Sequence, residues 1–316
     1  SDPLRIDDLW SKIYVGTAMT GRRGAGVNAI SAIDMALWDI KGKYENKPVF
    51  ELMGGKKQDE VIPYASLQPV GHSFQEYKDS LVEWAIKAKD LGFKAVKSEV
   101  TLNGPYAHSG LNENDDKATE IVAAVRKALG PEIKLMIDVQ YRWLNADEAL
   151  PVVKDWKEFD IYFLETPVWT DDIKSYARMH DEAPMKIAAG EWLSTRYEFE
   201  DLIINGKIDV AQPDVGRCGG LTEAMQIAKF SQEHKRIIVP HCWKTSVSIS
   251  ATAHFAFNTP NCAFIEYLPP QLCVETLRKE LATEGFEYID GKILPPTKPG
   301  LGIELNRDAI KKYQVA

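Results

Sequence analysis

Three short apolar runs in the middle of the chain each end in a carboxylate: Lys134-Leu-Met-Ile-Asp138, Ile161-Tyr-Phe-Leu-Glu165 and Lys186-Ile-Ala-Ala-Gly-Glu191. Asp138 and Glu165 are 27 residues apart, and Glu165 and Glu191 are 26 apart. An eight-unit barrel of ~250 residues uses roughly 31 residues per strand-helix unit. A buried parallel strand presents its last side chain at the carboxyl end, so this spacing predicts three acids gathered on one rim. Three hard oxygen donors in one place describe a Mg²⁺ site. The competing explanation is that each acid caps the helix that follows it. Three in consecutive units, each behind an apolar run, make independent capping the weaker account.

The same rhythm extends along the chain. Candidate strands are Ile62 to Leu67, Ala95 to Val100, Leu135 to Val139, Ile161 to Leu164, Ile187 to Ala189, Val210 to Ala211, Ile237 to Val239 and Ala263 to Ile265. Amphipathic helical patterns separate most of them, such as Glu76 to Leu91 and Asp116 to Leu129, the latter closed by Gly130-Pro131. Eight strands alternating with helices call for a closed parallel sheet, an α/β fold of modified (β/α)₈ TIM-barrel type. A doubly wound open sheet is the main competitor. Before the barrel, residues 4 to 14 and 28 to 45 read as helices. Thr20-Gly-Arg-Arg-Gly-Ala-Gly between them reads as a mobile loop, since it fits neither G-x-x-x-x-G-K-[ST] nor G-x-G-x-x-G.

The other strand ends also carry polar groups: Val96-Lys97-Ser98-Glu99, Gln212-Pro213-Asp214, Val239-Pro240-His241 and Phe264-Ile265-Glu266. Ionisable groups around a whole rim are where barrel enzymes place their chemistry. A single histidine is more often a satisfied structural residue than a catalyst. Asp214, one strand from His241, alters that balance, because a carboxylate on one ring nitrogen fixes the tautomer and makes the other nitrogen the better base. Lys97 stands at a strand end facing the acids, whereas Lys244 is equally readable as a solvated surface charge. The remaining histidines form no H-x-H or H-E-x-x-H pair, which argues against zinc hydrolase chemistry.

Composition narrows the partners. A net charge of −8 on 316 residues would repel a phosphate backbone or an anionic membrane, so an anionic substrate needs a locally positive site. The four cysteines, Cys218, Cys242, Cys262 and Cys273, lack C-x-x-C spacing in a chain too large to need staples. They are expected to be reduced in a cytoplasmic compartment. The start lacks the features of a signal peptide, and no apolar stretch approaches the ~20 residues of a membrane span.

With these residues assembled, the chain resembles the mandelate racemase subgroup of the enolase superfamily over nearly its whole length. The matching stretches include Ala32-Ile-Asp-Met-Ala-Leu-Trp-Asp-Ile-Lys-Gly-Lys, Pro48 to Gly55 and Pro299-Gly-Leu-Gly-Ile. The resemblance implies Asp138, Glu165 and Glu191 as Mg²⁺ ligands, His241 with Asp214 as a catalytic dyad, and Glu266 as the acid near the substrate carboxylate. It also implies three parts: residues 1–60 as the helical remnant of a capping domain, 61–283 as the barrel, and 284–316 as a return to the cap. Family members open with a three-stranded meander, and this chain starts in that domain's helices, so the capping domain is expected to be partial.

Racemases of the family usually carry Lys-x-Lys on the second strand, whereas this chain has Lys97-Ser98-Glu99. Without the second lysine a base is lacking on one face of the substrate. The expected function is therefore Mg²⁺-dependent dehydration of a sugar acid, a hydro-lyase reaction giving a 2-keto-3-deoxy acid, with Lys97 and His241 catalytic and Glu99 and Lys244 in contact with substrate. A racemase or epimerase of the same ene-diolate type, and an inactive sugar-acid binder, are the alternatives. The expected partner is a small anionic sugar acid, with neither nucleic acid nor membrane, and the chain is expected to form a homo-oligomer.

Overall fold

The computed structural model describes residues 2–314, so positions 1, 315 and 316 of the expected terminal spans lie outside the described residues. In chain order the elements are α1 (Ile6–Gly21), α2 (Ala25–Tyr44), α3 (Val49–Leu52), β1 (Pro63–Leu67), α4 (Phe74–Asp90), β2 (Ala95–Glu99), α5 (Asp115–Leu129), β3 (Lys134–Asp138), α6 (Ala146–Asp155), β4 (Ile161–Glu165), α7 (Ile173–Glu182) and β5 (Lys186–Ala189). They continue as α8 (Thr195–Ile204), β6 (Val210–Ala211), α9 (Gly220–Glu233), β7 (Ile237–Ile238), α10 (Ser246–Asn258), β8 (Ile265–Tyr267), α11 (Thr276–Glu280), β9 (Tyr288–Ile289), β10 (Lys292–Ile293) and α12 (Arg307–Lys312). Eight strand-helix repeats follow a helical segment, which is a modified (β/α)₈ barrel with capping helices.

The chain folds as two compact units, residues 63–190 with 201–211, and residues 1–62 with 191–200 and 212–316. In the first, β1 to β6 pair in parallel and in sequence order. A doubly wound sheet reverses its strand order near the middle. Sequential order across six strands therefore rules that competitor out. The strands are buried on both faces, as parallel sheets covered by helices require.

Helix starts in this unit follow from local chemistry. Ser73 and Glu76 form a reciprocal capping box at α4, Asn114 caps α5, Asn145 caps α6 and Asp172 caps α7. The helices after β3 and β4 are thus capped by Asn145 and Asp172, several residues beyond Asp138 and Glu165. Capping does not account for those two strand-ending acids.

In the second unit, α1 runs on to Gly21, past the expected end at residue 14. Its last turns carry no inward apolar face, with Val15 and Met19 exposed, so the apolar period stops while the backbone helix continues. Only three residues separate α1 from α2. Gly21 and Gly26, on the two helices, serve helix packing, since a Cβ on Gly26 would lie 2.2 Å from the Gly21 Cα. The turn is also tied down: Arg23 Nε bonds Glu198 at 3.0 Å, and Gly24 N donates to Ser194 Oγ at 3.0 Å. Asp290-Gly291, both at positive φ, closes the antiparallel β9–β10 hairpin. Among the described residues no helix is long and apolar enough to cross a membrane.

Candidate active site

A cluster of buried ionisable side chains stands in each unit. In the sheet unit the cluster is a product of register. Glu99 pairs with Asp138, and Asp138 pairs with Glu165. Residues in register on parallel neighbours project to the same side, and Lys97, two residues before Glu99, shares that side. Lys97 Nζ bonds Glu165 Oε1 at 2.8 Å, lies 3.9 Å from Asp138 Oδ2, and sits over the Tyr64 ring at 5.4 Å. Lys97, Asp138 and Glu165 are all buried. A lysine is retained at such depth because two carboxylates surround its charge.

Asp138 Oδ1 accepts from Thr166 Oγ1 and from Gln140 N, both at 2.9 Å. Glu99 Oε1 accepts from Thr101 Oγ1 at 3.0 Å, while the Glu99 carbonyl accepts from the Tyr77 hydroxyl. Where a second lysine would stand there is a carboxylate held by its own strand's continuation. The backbone beyond the acids is strained: Gln140, Tyr141 and Thr166 all have positive φ without being glycine. Such strain gathers at functional sites and persists only where the surroundings over-determine it. Thr166 and Gln140 have no motif signature, so nothing in the sequence singled them out.

The cluster of the second unit stands on the segments after short strands. His241 Nδ1 is 2.8 Å from Asp214 Oδ2, and His241 Nε2 is 3.1 Å from Glu191 Oε2 and 3.7 Å from Glu266 Oε2. Glu266, in β8, accepts from Cys242 N at 2.6 Å. Lys244, expected as readily on the surface, bonds Asp214 Oδ2. Gly216 N donates to Asp214 Oδ1 at 2.7 Å. Arg217, which the sequence reading missed, reaches the Glu191 carbonyl at 3.3 Å and lies 3.9 Å from Asp214; its only signal was its place three residues after that aspartate.

The electrostatics of this cluster are specific. Burial alone would raise the Asp214 carboxyl, but the hydrogen bond from His241 and the charges of His241 and Lys244 outweigh it and hold Asp214 below the usual carboxylate range. Burial would lower His241, yet the charge of Glu266, the bond to Asp214 and the charge of Glu191 raise it. His254 shows what burial does without such neighbours. It is pushed down to about 4, accepts from Phe50 N at 3.1 Å and stacks on the Phe50 ring, a structural role.

Asp138 and Glu165, with Glu191, are carboxylate donors of the kind that hold a hard divalent cation. Asp138 and Glu165 already face the Lys97 ammonium, and Glu191 faces the His241 ring, so each is set to receive positive charge. Among the described residues no group of three or more His, Cys, Asp or Glu side chains is arranged so that it could hold a metal ion.

Buried acids at strand ends and a carboxylate-braced histidine are of the kind barrel enzymes use for chemistry, and the comparisons give the family. Residues 80–309 match the enolase C-terminal domain-like family, and residues 1–54 match the mandelate racemase / muconate lactonizing enzyme N-terminal domain. The chain belongs to the enolase superfamily, in its mandelate racemase subgroup. It is 32% identical to D-galactarolactone cycloisomerase of Agrobacterium fabrum over 99% of this chain and 81% of the relative. It is 30% identical to D-galactonate dehydratase of Pectobacterium atrosepticum over 98% of this chain and 79% of the relative. The crystal structure of 3,6-anhydro-D-galactonate cycloisomerase from Zobellia galactanivorans superimposes with a TM-score of 0.89 at 33% identity, covering 100% of this chain and 84% of that one. These relatives are named for galactose-derived substrates, and the family match makes this chain an enolase-superfamily protein.

Proposed function

We propose that this protein is a Mg²⁺-dependent dehydratase of a sugar acid, an aldonate or aldarate. The observation that carries the reading is His241 braced at Nδ1 by Asp214 while Nε2 stays directed at acidic side chains. That arrangement leaves Nε2 as the nitrogen that exchanges protons. His241 takes the proton next to the substrate carboxylate, and once protonated it is an acid of suitable pKa to accompany departure of the 3-hydroxyl. Lys97 offers a fixed cation where negative charge develops on the substrate carboxylate. Glu266 is buried and accepts from Cys242 N, which supports assigning it as the acid near that carboxylate, and Glu99 and Lys244 are assigned to substrate contact. Asp138, Glu165 and Glu191 would hold Mg²⁺, which supplies Lewis-acid neutralisation of the ene-diolate as it forms. Loss of water gives an enol that tautomerises to the 2-keto-3-deoxy acid. Asp214 beside His241 supports a base on one face of the α-carbon, and Glu99 in place of a lysine supports one-sided abstraction, hence elimination over racemisation. The four cysteines, all free and buried, support a cytoplasmic setting.

Two of the relatives are named cycloisomerases of galactose-derived acids, which favours a second reading: the same abstraction with a ring oxygen at the β-carbon as leaving group. Incubating a library of sugar acids and their lactones or anhydro forms with enzyme and Mg²⁺ in D₂O, followed by NMR and mass spectrometry, separates these outcomes. A 2-keto acid formed from an open-chain acid with loss of water supports dehydration. A product isomeric with a cyclic acid, apart from deuterium taken up from solvent, supports cycloisomerisation. Accumulation of the deuterated C2 epimer alone would overturn both.

A further inference from the structure

The motif Ala32–Lys43 marks the family, yet the proposed chemistry leaves its buried acid, Asp34, without a task. Asp34 is 2% exposed. Both its oxygens accept from Thr222: Thr222 N donates to Oδ2 at 3.1 Å and Thr222 Oγ1 donates to Oδ1 at 2.6 Å. Trp38 Nε1 donates to the same threonine hydroxyl at 3.0 Å. Two further helix residues hold the glycine pair just before it. Gly219 N donates to Ser31 Oγ at 2.9 Å, and Trp10 Nε1 donates to the Gly219 carbonyl at 2.7 Å. Gly219 and Gly220 have φ of 115° and 87°, and a Cβ on Gly220 would come within 2.2 Å of Asp34 Oδ2. Helix and loop are in contact with no room between them.

This loop starts at Asp214. The Asp214 carbonyl accepts from Arg217 N and Cys218 N, both at 2.8 Å, and Cys218 O accepts from Thr195 N at 3.0 Å in the segment that follows Glu191. β6 is only two residues long and ends at Ala211, so no strand ladder reaches Asp214. Hydrogen bonds hold the loop instead, and those from α1 and α2 fix its far end beside Thr195 N on Cys218 O.

We propose that Asp34 is a positioning residue for the His241–Asp214 pair, acting through Thr222 and the Asp214–Gly220 loop. The inference rests on the reading of His241 as the base and extends it to the capping helices. Catalytic groups must be held within about 0.5 Å of productive geometry by supporting hydrogen bonds. A loop released by one bond lets the Asp214 carboxylate rotate, and His241 then samples the tautomer with its proton on the wrong nitrogen.

The test compares Thr222→Val, which keeps the side-chain shape and loses the hydroxyl, with Thr222→Ser, which keeps the hydroxyl. In turnover with a sugar acid identified by the library screen, Thr222→Val lowers kcat by on the order of 10-fold to 100-fold with KM little changed, and Thr222→Ser restores it. In ¹⁵N-histidine NMR, with His241 assigned by its loss in His241→Asn, the wild type shows one Nδ1–H tautomer and Thr222→Val a mixture. If Thr222→Val merely melts at lower temperature, with kcat and the His241 spectrum unchanged, Asp34 and Thr222 are a structural staple and the proposal falls. Should Thr222→Val fail to fold, Asp34→Asn read the same way decides it. The spectrum needs no substrate, so the two readings fail separately. A wild type silent on every sugar acid overturns the proposed function, whereas an unchanged His241 tautomer overturns this inference.

Discussion

The Lys97 cluster and the His241 cluster solve the same problem, keeping charges in a protein interior, by different means. Lys97, Asp138 and Glu165 stand on three neighbouring strands whose ladders run up to the acids themselves. Backbone pairing sets their separation, and the lysine lies between its two acids as a consequence. Asp214 and His241 lie three residues beyond strands of two residues each. Side-chain bonds hold them instead: His241 to Asp214, Glu191 and Glu266, Lys244 to Asp214, and the capping helices to the loop behind. The lesson is that the first cluster is rigid by architecture and the second by chemistry. Single substitutions should therefore separate stability from activity differently in the two.

The largest effect is expected at His241. His241→Asn retains a hydrogen-bonding side chain but no base, so kcat for deuterium exchange next to the carboxylate falls by on the order of 10²-fold to 10⁴-fold. Lys244 still faces Asp214, so the melting temperature changes little. A comparable loss of melting temperature would break the contrast between the clusters.

Lys97→Met should do the opposite in stability. It leaves Asp138 and Glu165 buried without their cation, which costs about 3–5 kcal/mol of folding free energy, read as a lower denaturant midpoint. Activity falls as well, by on the order of 10²-fold to 10³-fold, because a fixed charge at the developing anion is gone. Stability unchanged within error would show that register alone holds the sheet cluster.

Mg²⁺ sharpens the comparison at intermediate scale. At a concentration about 100 times its Kd, the ion should stabilise the fold by about 2.7 kcal/mol. EDTA should remove both that gain and the activity, and Glu165→Gln should abolish the gain while leaving the chain folded. Calorimetry with and without Mg²⁺ checks this, and equal melting in the two would refute the assignment of these carboxylates.

The smallest effect concerns Asp34. Burial pushes its carboxyl up to about 7, against the pull of its Thr222 hydrogen bonds. The folded state thus keeps a proton that the unfolded chain releases near its ordinary value of 3.8. Between about pH 4 and pH 7 the native state binds more protons, so this group's contribution to stability falls as pH rises, by at most about 1.4 kcal/mol per unit, and levels off above. Asp34→Asn should flatten that part of the stability curve. An unchanged slope in urea titrations at several pH values would place the carboxyl in its ordinary range.

How much of this was legible in the residues differs between the clusters for the same physical reason. The apolar runs ending in Asp138 and Glu165 have a period and a terminus, and parallel strands convert sequence position into spatial position. The strand-helix alternation, the helix stops and the alignment of those acids could all be read from local pattern. The chain also determined which residue types were available, including Glu99 where a lysine was expected. Tertiary structure decided the rest. It placed Lys244 on Asp214, Arg217 against the Glu191 carbonyl and Asp34 on Thr222, contacts that join residues up to 188 positions apart. It also assigned Gly21 and Gly26 to helix packing, where local pattern suggested a mobile loop. Periodicity is a property of neighbours in the chain. Hydrogen bonds between distant segments depend on where folding brings them, and that has no period to read.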